Sequence, residues 1–520
     1  MKLVKLSMVA AATCLLATSA YALKTEDRNL KANGQIEYLK APGAVNSIGE
    51  MFTEGEVYGR MRSNMFWWNW DNEFEAYGGT GNNNIWGVGG ILVYKTGFYN
   101  GLGATVGFYG TTALTDDNLV VNGCAADGCT NAGKAGKDAY RTRMDGTEAP
   151  IGVFAEAYVE YKAGKTDVKI GRQGIDSIML ATNDTKMIPN TFEAAMIENK
   201  DISNTTVRAG YVVSQKLRDH QEFHSILAYD SGTGSSKVAK VNENDDSGVH
   251  KGLSLKNIRA MNDDTNPEMI LITVENKSIP NLKLDAEYIG IEGFFSTIIA
   301  EANYQIALGS GWTLTPGIRY LNQMDDGAGA IGGASITGAL GKDKYGASSA
   351  AAKASYTDPL SADGHIWMGR LVLANGPLSL MAGYSDVADE ADIIAPWRGF
   401  PTGGYSRDMA QVNWVAGTES WMVKADYNFD KAGVVPGLIG AISYTDMDFD
   451  EKKNLAGTSD LTDRSMVHVD LIQTFKTLPD MEFKFRFAAI DADISKKTSP
   501  TLTVDKESYN EYRFEINYLF

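Results

Sequence analysis

Residues 512–520 alternate. Tyr512, Phe514, Ile516, Tyr518 and Phe520 fall on one face of an extended chain, and Arg513, Glu515 and Asn517 fall on the other, with Leu519 the exception. Successive side chains of a strand point to opposite faces, so this segment predicts a strand with one greasy and one charged side. The pattern recurs. "SWMVKADYNF" sets Trp421, Val423, Ala425, Tyr427 and Phe429 against Lys424, Asp426 and Asn428. "MEFKFRFAAID" sets Phe483, Phe485 and Phe487 against Glu482, Lys484 and Arg486. "LKLDAEYIG" and "IIAEANYQIA" repeat it, as does "FAEAYVEYKAG", which groups Ala155 with Ala157, Val159 and Tyr161. A soluble sandwich alternates in the same way, so periodicity alone does not select the architecture.

The connections select it. About eighteen strands are predicted, an even count, starting near residues 55, 86, 101, 152, 166, 205, 223, 269, 281, 297, 312, 365, 378, 419, 438, 465, 481 and 508. Short links such as "GFYNG", "AGK", "NGP" and "TLPD" alternate strictly with long ones at 66–85, 111–151, 173–204, 231–268, 322–364, 386–418, 448–464 and 492–507. Short turns at one end and long loops at the other predict an all-β, transmembrane antiparallel β-barrel. Trp86, Tyr94, Trp312, Tyr320 and Trp421 lie near strand ends, where aromatic girdles belong. In hydrocarbon no backbone N–H or C=O can stay unpaired, so the sheet has to close. About eighteen strands enclose a space too wide for side chains to fill, which leaves a water-filled channel.

Composition agrees. Beyond the N-terminus no apolar run is long enough for a spanning helix. A net charge of −17 lacks the basic footprint of a nucleic-acid binder. The N-terminus, "MKLVKLSMVAAATCLLATSAYA", has two lysines, an apolar stretch and Ala20-Tyr21-Ala22, which predicts a signal peptide over 1–22 cut after Ala22. Cys124 and Cys129 then remain, and an even pair in an exported chain predicts a small disulfide loop. Residues 23–54 read as a periplasmic or plugging segment before a barrel domain over 55–520.

Two stretches resemble the OprD family of outer-membrane porins. "KIGRQGIDSIMLATNDTKMIPNTFEAAMIENKDISNTTVRAGYV" is similar to the family's passage from a strand into the third loop. "APWRGFPTGGYSRDMAQVNWVAGTESWMVKADYNFDKAGVVPGLIGAISY" is similar to a later loop and strand pair. The resemblance implies an eighteen-stranded barrel in the outer membrane of a Gram-negative bacterium, passing small hydrophilic solutes such as ions, amino acids and small carboxylates. It implies outer-membrane lipid as surroundings and the barrel-assembly machinery, reading Phe520, as a partner; homotrimers are common among such porins. It also implies that the third loop, 173–204, narrows the pore with Asp176, Asp184, Lys186, Pro189, Asn190, Glu193 and Glu198.

By parity, the lumen-facing bases are Arg60, Arg62, Lys169, Arg208, Arg319, Lys424, Lys484, Arg486 and Arg513. Each could select solutes by charge or simply pair with a neighbouring wall carboxylate. These bases against an acidic chain predict weak ion selectivity. The histidines and glycines form no enzymatic constellation. "HQEFH" breaks the order of a zinc-protease helix, His468 beside Asp470 reads as a wall pair, and no nucleophile elbow, phosphate loop or cofactor motif occurs. The alternative to a channel is a non-conducting barrel acting as adhesin or scaffold.

Overall fold

A computed structural model describes residues 28–30, 34–38, 42–70, 83–114, 123–125, 128–130, 150–218, 220–228, 250–261, 263–341, 355–397, 399–409, 412–453, 462–492 and 508–520. Eighteen antiparallel strands close into a barrel. They are β1 (Glu56–Trp70), β2 (Asn83–Lys95), β3 (Leu102–Ala113), β4 (Ile151–Ala163), β5 (Thr166–Gln173) and β6 (Thr191–Asn199). Next come β7 (Thr205–Lys216), β8 (Met269–Asn276), β9 (Leu282–Ile291), β10 (Phe295–Tyr304), β11 (Trp312–Asp325) and β12 (Gly364–Asn375). The ring is completed by β13 (Leu378–Val387), β14 (Glu419–Asn428), β15 (Leu438–Asp448), β16 (Arg464–Phe475), β17 (Leu478–Ala492) and β18 (Tyr509–Leu519). β18 closes on β1 from Tyr509↔Trp70 to Leu519↔Arg60. The Phe520 and Gly59 backbones then exchange hydrogen bonds of 3.1 and 2.9 Å.

The outer wall is apolar. Tyr304 and Phe485 are 46% and 37% exposed, so both point away from the protein interior. Ile298, Ile318, Leu371, Val423 and Ile442 accompany them on the lipid face. Trp67, Trp86, Trp367, Tyr384 and Trp421 ring the long-loop end, while Tyr161, Tyr304 and Phe475 mark the short-turn end.

Four expectations are corrected. No strand begins near 223: Ile226, Leu227 and Ala228 are an apolar run buried under loops. A strand unforeseen in the sequence, β6, occupies Thr191–Asn199, where a register shift between Glu193 and Ala194 hides the alternation. The two errors cancel in the strand count, and the third long loop is therefore 174–190. Long and short links do not alternate strictly either, since β9 and β10 are joined at the long-loop end by 292–294 alone. Lastly, a bulge between Phe154 and Glu156 resets the phase of β4. Ile151, Val153 and Ala155 point inward above it and Tyr158 and Glu160 below it, which separates Ala155 from Val159 and Tyr161.

The lumen is not uniformly wet. At the long-loop end Leu271, Ile289, Ile299, Leu321, Ile366 and Val387 point inward and are buried. Loop residues Met179, Leu180, Ile226, Leu253, Ile258, Ile331, Ile393, Trp397 and Trp414 pack on them as one apolar cluster. Burying a large apolar side chain contributes about 1.5–3 kcal/mol, so the third, fourth, sixth and seventh long loops are docked inside the wall rather than splayed into solvent.

Candidate functional site

The third loop is anchored at two opposite points of the wall. On β1, inward-facing Arg60 and Arg62 both pair with Asp184, Arg62 at 3.0 Å, and Arg62 also binds Glu515 of β18 at 2.9 Å. Asn64 donates to the Lys186 carbonyl at 3.2 Å. Eight strands around the ring, Glu287 of β9 accepts from the Ser177 hydroxyl at 3.1 Å and from the Ile178 and Met179 N–H groups at 2.8 Å each. Because β1 and β9 face each other across an eighteen-strand ring, residues 177–184 cross the lumen. Asn190 braces the crossing, accepting from Asn183 N–H at 2.8 Å and donating to the Ala181 carbonyl at 2.9 Å.

The seventh loop, 388–418, is tied down beside it. The Tyr405 ring lies under the guanidiniums of Arg319 and Arg370, at 4.6 and 4.7 Å. A β-carbon on Gly383 would meet the Tyr405 carbonyl at 1.7 Å, so only glycine admits the loop this close to β13. Asp408 binds Ser443 and, at 2.7 Å, His468, whose other ring nitrogen lies 2.9 Å from Asp470. With a carboxylate at each nitrogen, the ring can donate to both only as imidazolium.

Between these loops and the strands β12–β18 lies a cavity of about 440 Å³. Asn183, Thr185 and Lys186 come from the third loop, Arg218 from the fourth, and Phe400, Gly404, Arg407, Asp408 and Met409 from the seventh. The wall supplies Arg370, Lys424, Asp426, His468, Asp470, Arg486 and Arg513 among others. Seven lysines and arginines therefore face three aspartates. Several are compensated locally: Arg370 by Glu301 at 3.2 Å, Lys424 by Asp426 at 2.8 Å, Arg486 by Asp470 at 2.9 Å, and Arg513 by Glu511. Among the described residues Arg407 forms no salt bridge, and its guanidinium stacks on Phe400 at 4.4 Å.

The sequence-derived residues divide accordingly. Lys186, Lys424, Arg486 and Arg513 line the cavity. Arg60 and Arg62 are buried in the Asp184 latch, and Arg319 is buried against Glu301 and Tyr405. Lys169 lies 3.9 Å from both Glu160 and Asp167, and Arg208 pairs with Glu198 at 2.6 Å. Lys484 lies on β17 two residues from Arg486, outside the cavity lining. Asp176 and Asp184 are in the loop, whereas Glu193, paired with Arg172 at 2.8 Å, and Glu198 are on β6. Arg218, Arg370 and Arg407 were missed. Arg370 shares the inward parity of Met368 on β12 and was legible; the other two sit on loops, where parity carries no information.

The profile described as outer membrane porin, OprD family, matches residues 52–518. The chain belongs to that family. Solved structures agree on the fold. OccK8 (OprE) of Pseudomonas aeruginosa has a TM-score of 0.63 at 16% identity, covering 89% of this chain and 98% of its own. OccAB1 of Acinetobacter baumannii has 0.64 at 15%, covering 90% and 96%. OpdK of Pseudomonas aeruginosa, solved with vanillate, has 0.60 at 15%, covering 89% and 98%. No curated protein sequence matches this porin. The chain is thus an outer-membrane β-barrel of the Gram-negative type, set among lipid and passing small solutes; porins are channels and not a class of enzyme.

Cys124 and Cys129 are register partners in a small two-stranded ladder. The segment 1–22 lies outside the described residues.

Proposed function

We propose that this porin passes small anionic solutes, inorganic anions and small carboxylates, by passive diffusion through the basic cavity, with the third loop as its constriction. The observation that carries the reading is the loop's double anchorage, to β1 through Asp184 and to β9 through Glu287, which stretches it across the lumen. It leaves a gap lined by seven lysines and arginines and three aspartates, and the bases remain in excess even when Glu301 and Glu511, the partners of Arg370 and Arg513 outside the lining, are counted with the acids. Cations held at a constriction select by charge without binding tightly enough to stop flow. This favours a clear anion preference over the weak selectivity expected from the sequence. The chain's net charge of −17 does not bear on it, since the cavity is lined by the residues above.

Planar-bilayer recording in a tenfold KCl gradient tests it. The expected reversal potential has the sign of an anion-preferring pore, and small carboxylates, vanillate among them, reduce the current. A cation-preferring potential would overturn the selectivity, and absence of any conductance would favour the adhesin or scaffold reading. We further propose export with cleavage after Ala22 and insertion through recognition of Phe520. The mass of the mature chain and the assembly of a Phe520 deletion check these two steps.

A further inference from the structure

One lumenal element takes no part in the wall or in the charged lining: residues 34–38. Among the described residues, Ile36–Tyr38 pair with Arg28–Leu30 and with no barrel strand. They reach the barrel interior all the same. Tyr38 stacks on inward-facing Tyr58 with ring centroids 4.6 Å apart. Ile36 and Tyr38 pack on the buried cluster of Tyr58, Ile91, Val93, Tyr109 and Ile188, the last of these from the third loop.

The contact with the third loop is the telling one. Arg60 donates one guanidinium nitrogen to the Gly34 carbonyl at 2.5 Å while another pairs with Asp184. Gly34 has φ +80°, and a β-carbon there would sit 2.2 Å from the Asp184 carbonyl oxygen. Backbone meets backbone at that point, and only glycine fits. On the far side a β-carbon on Gly174, where the loop begins, would lie 3.2 Å from Gln35. The space left between segment, wall and loop is only about 40 Å³. The same stretch of chain therefore touches the loop near its start and at Asp184, and shares the arginine that holds the loop. Downstream, Ala44–Val45 pair with Phe98–Tyr99 in the turn between β2 and β3, so the segment reaches the lumen from the short-turn end.

We propose that residues 34–38 form a strap that clamps the third loop against β1 and thereby sets the open width of the pore. This rests on the third loop being the constriction. The strap belongs to no barrel strand, so it can leave the lumen without unzipping the wall, and the aperture is then governed from the short-turn side.

The test uses the full chain carrying Thr185→Cys as a reporter on the third loop, with the parent as a control for labelling at Cys124 and Cys129. Gly34→Glu and a deletion of 34–38 are introduced separately, and folding is verified by heat-modifiable gel mobility. The expected result is faster labelling of the reporter by a cationic thiol reagent, together with larger and noisier single-channel currents. A synthetic peptide of residues 28–45, added on the short-turn side only, reverses both in the deletion variant. Folded variants whose labelling and currents match the parent overturn the strap. Faster labelling with unchanged currents keeps the clamp on the loop but overturns its control of the open width, and removes the third loop from the constriction. If the deletion does not fold, Gly34→Glu alone carries the decision.

Discussion

Replacing Arg407 by glutamine isolates the charge term of selectivity. Burial lowers its pKa to about 10, still well above neutrality, so it carries a full charge at pH 7. A cavity of about 440 Å³ corresponds to a sphere of radius about 4.7 Å, which sets the distance from a lining charge to an ion at the centre. At that distance a unit charge in a medium as polar as water contributes about 0.9 kcal/mol. The charge stabilises an anion by that amount and destabilises a cation equally, so the ratio responds to about 1.8 kcal/mol; since 1.4 kcal/mol is tenfold, Arg407→Gln should lower the anion-to-cation permeability ratio on the order of tenfold to twentyfold. At 1 M salt the Debye length shrinks to about 3 Å, and the effect should fall to about twofold. Reversal potentials in KCl gradients centred near 10 mM and near 1 M measure both, with Arg407→Lys expected to behave as the parent. An unchanged ratio at low salt, or an effect of equal size at both salts, would refute the reasoning.

Other perturbations test other parts of the molecule. Asp184→Asn leaves two buried guanidiniums with one carboxylate, Glu515, and breaking such a pair costs about 3–5 kcal/mol; noisier currents and a lower gel unfolding temperature should result. His250 of the fourth loop lies 2.9 Å from the Gly333 carbonyl at Nε2 and accepts from Gly252 N–H at Nδ1, the pattern of a neutral ring, and burial lowers its pKa to about 4. Its folded value lies below the unfolded one near 6.5, so the contact between fourth and sixth loops is intact above pH 6.5 and weakens as pH falls toward 4. Limited proteolysis of those loops should accelerate over that window, and less so in His250→Gln. Phe485 is the middle residue of β17 and faces outward, so Phe485→Arg should cost about 2–4 kcal/mol in urea titrations of refolding into liposomes. Finally, Cys124 and Cys129 should resist alkylation until a reductant is added.

The barrel was legible because its physics is local: a residue two positions along returns to the same face, and hydrocarbon tolerates no open edge. The reading failed where that periodicity is interrupted. The shift at Glu193 and Ala194 concealed β6, the bulge at Ala155 inverted half of β4, and Ile226-Leu227 mimicked a strand while serving a loop core. The site was less legible than the wall. Parity identified Arg60, Arg62 and Arg513 as inward but could not say that the first two are consumed by Asp184, because that contact spans 124 and 122 positions and depends on how a loop folds back. Arg218 and Arg407 reach the cavity from loops, so they carried no periodic signal at all.

The seam between β18 and β1 has a consequence for how such a molecule goes wrong. Arg62 meets Glu515 across 453 positions of chain, and only when the two ends of the sheet have zipped together. The residue that moors the crossing loop is thus completed by the same event that seals the wall. A molecule arrested one step short of closure would lack both its last hydrogen-bonded edge and the clasp on its own aperture, and would be expected to leak indiscriminately before it came apart.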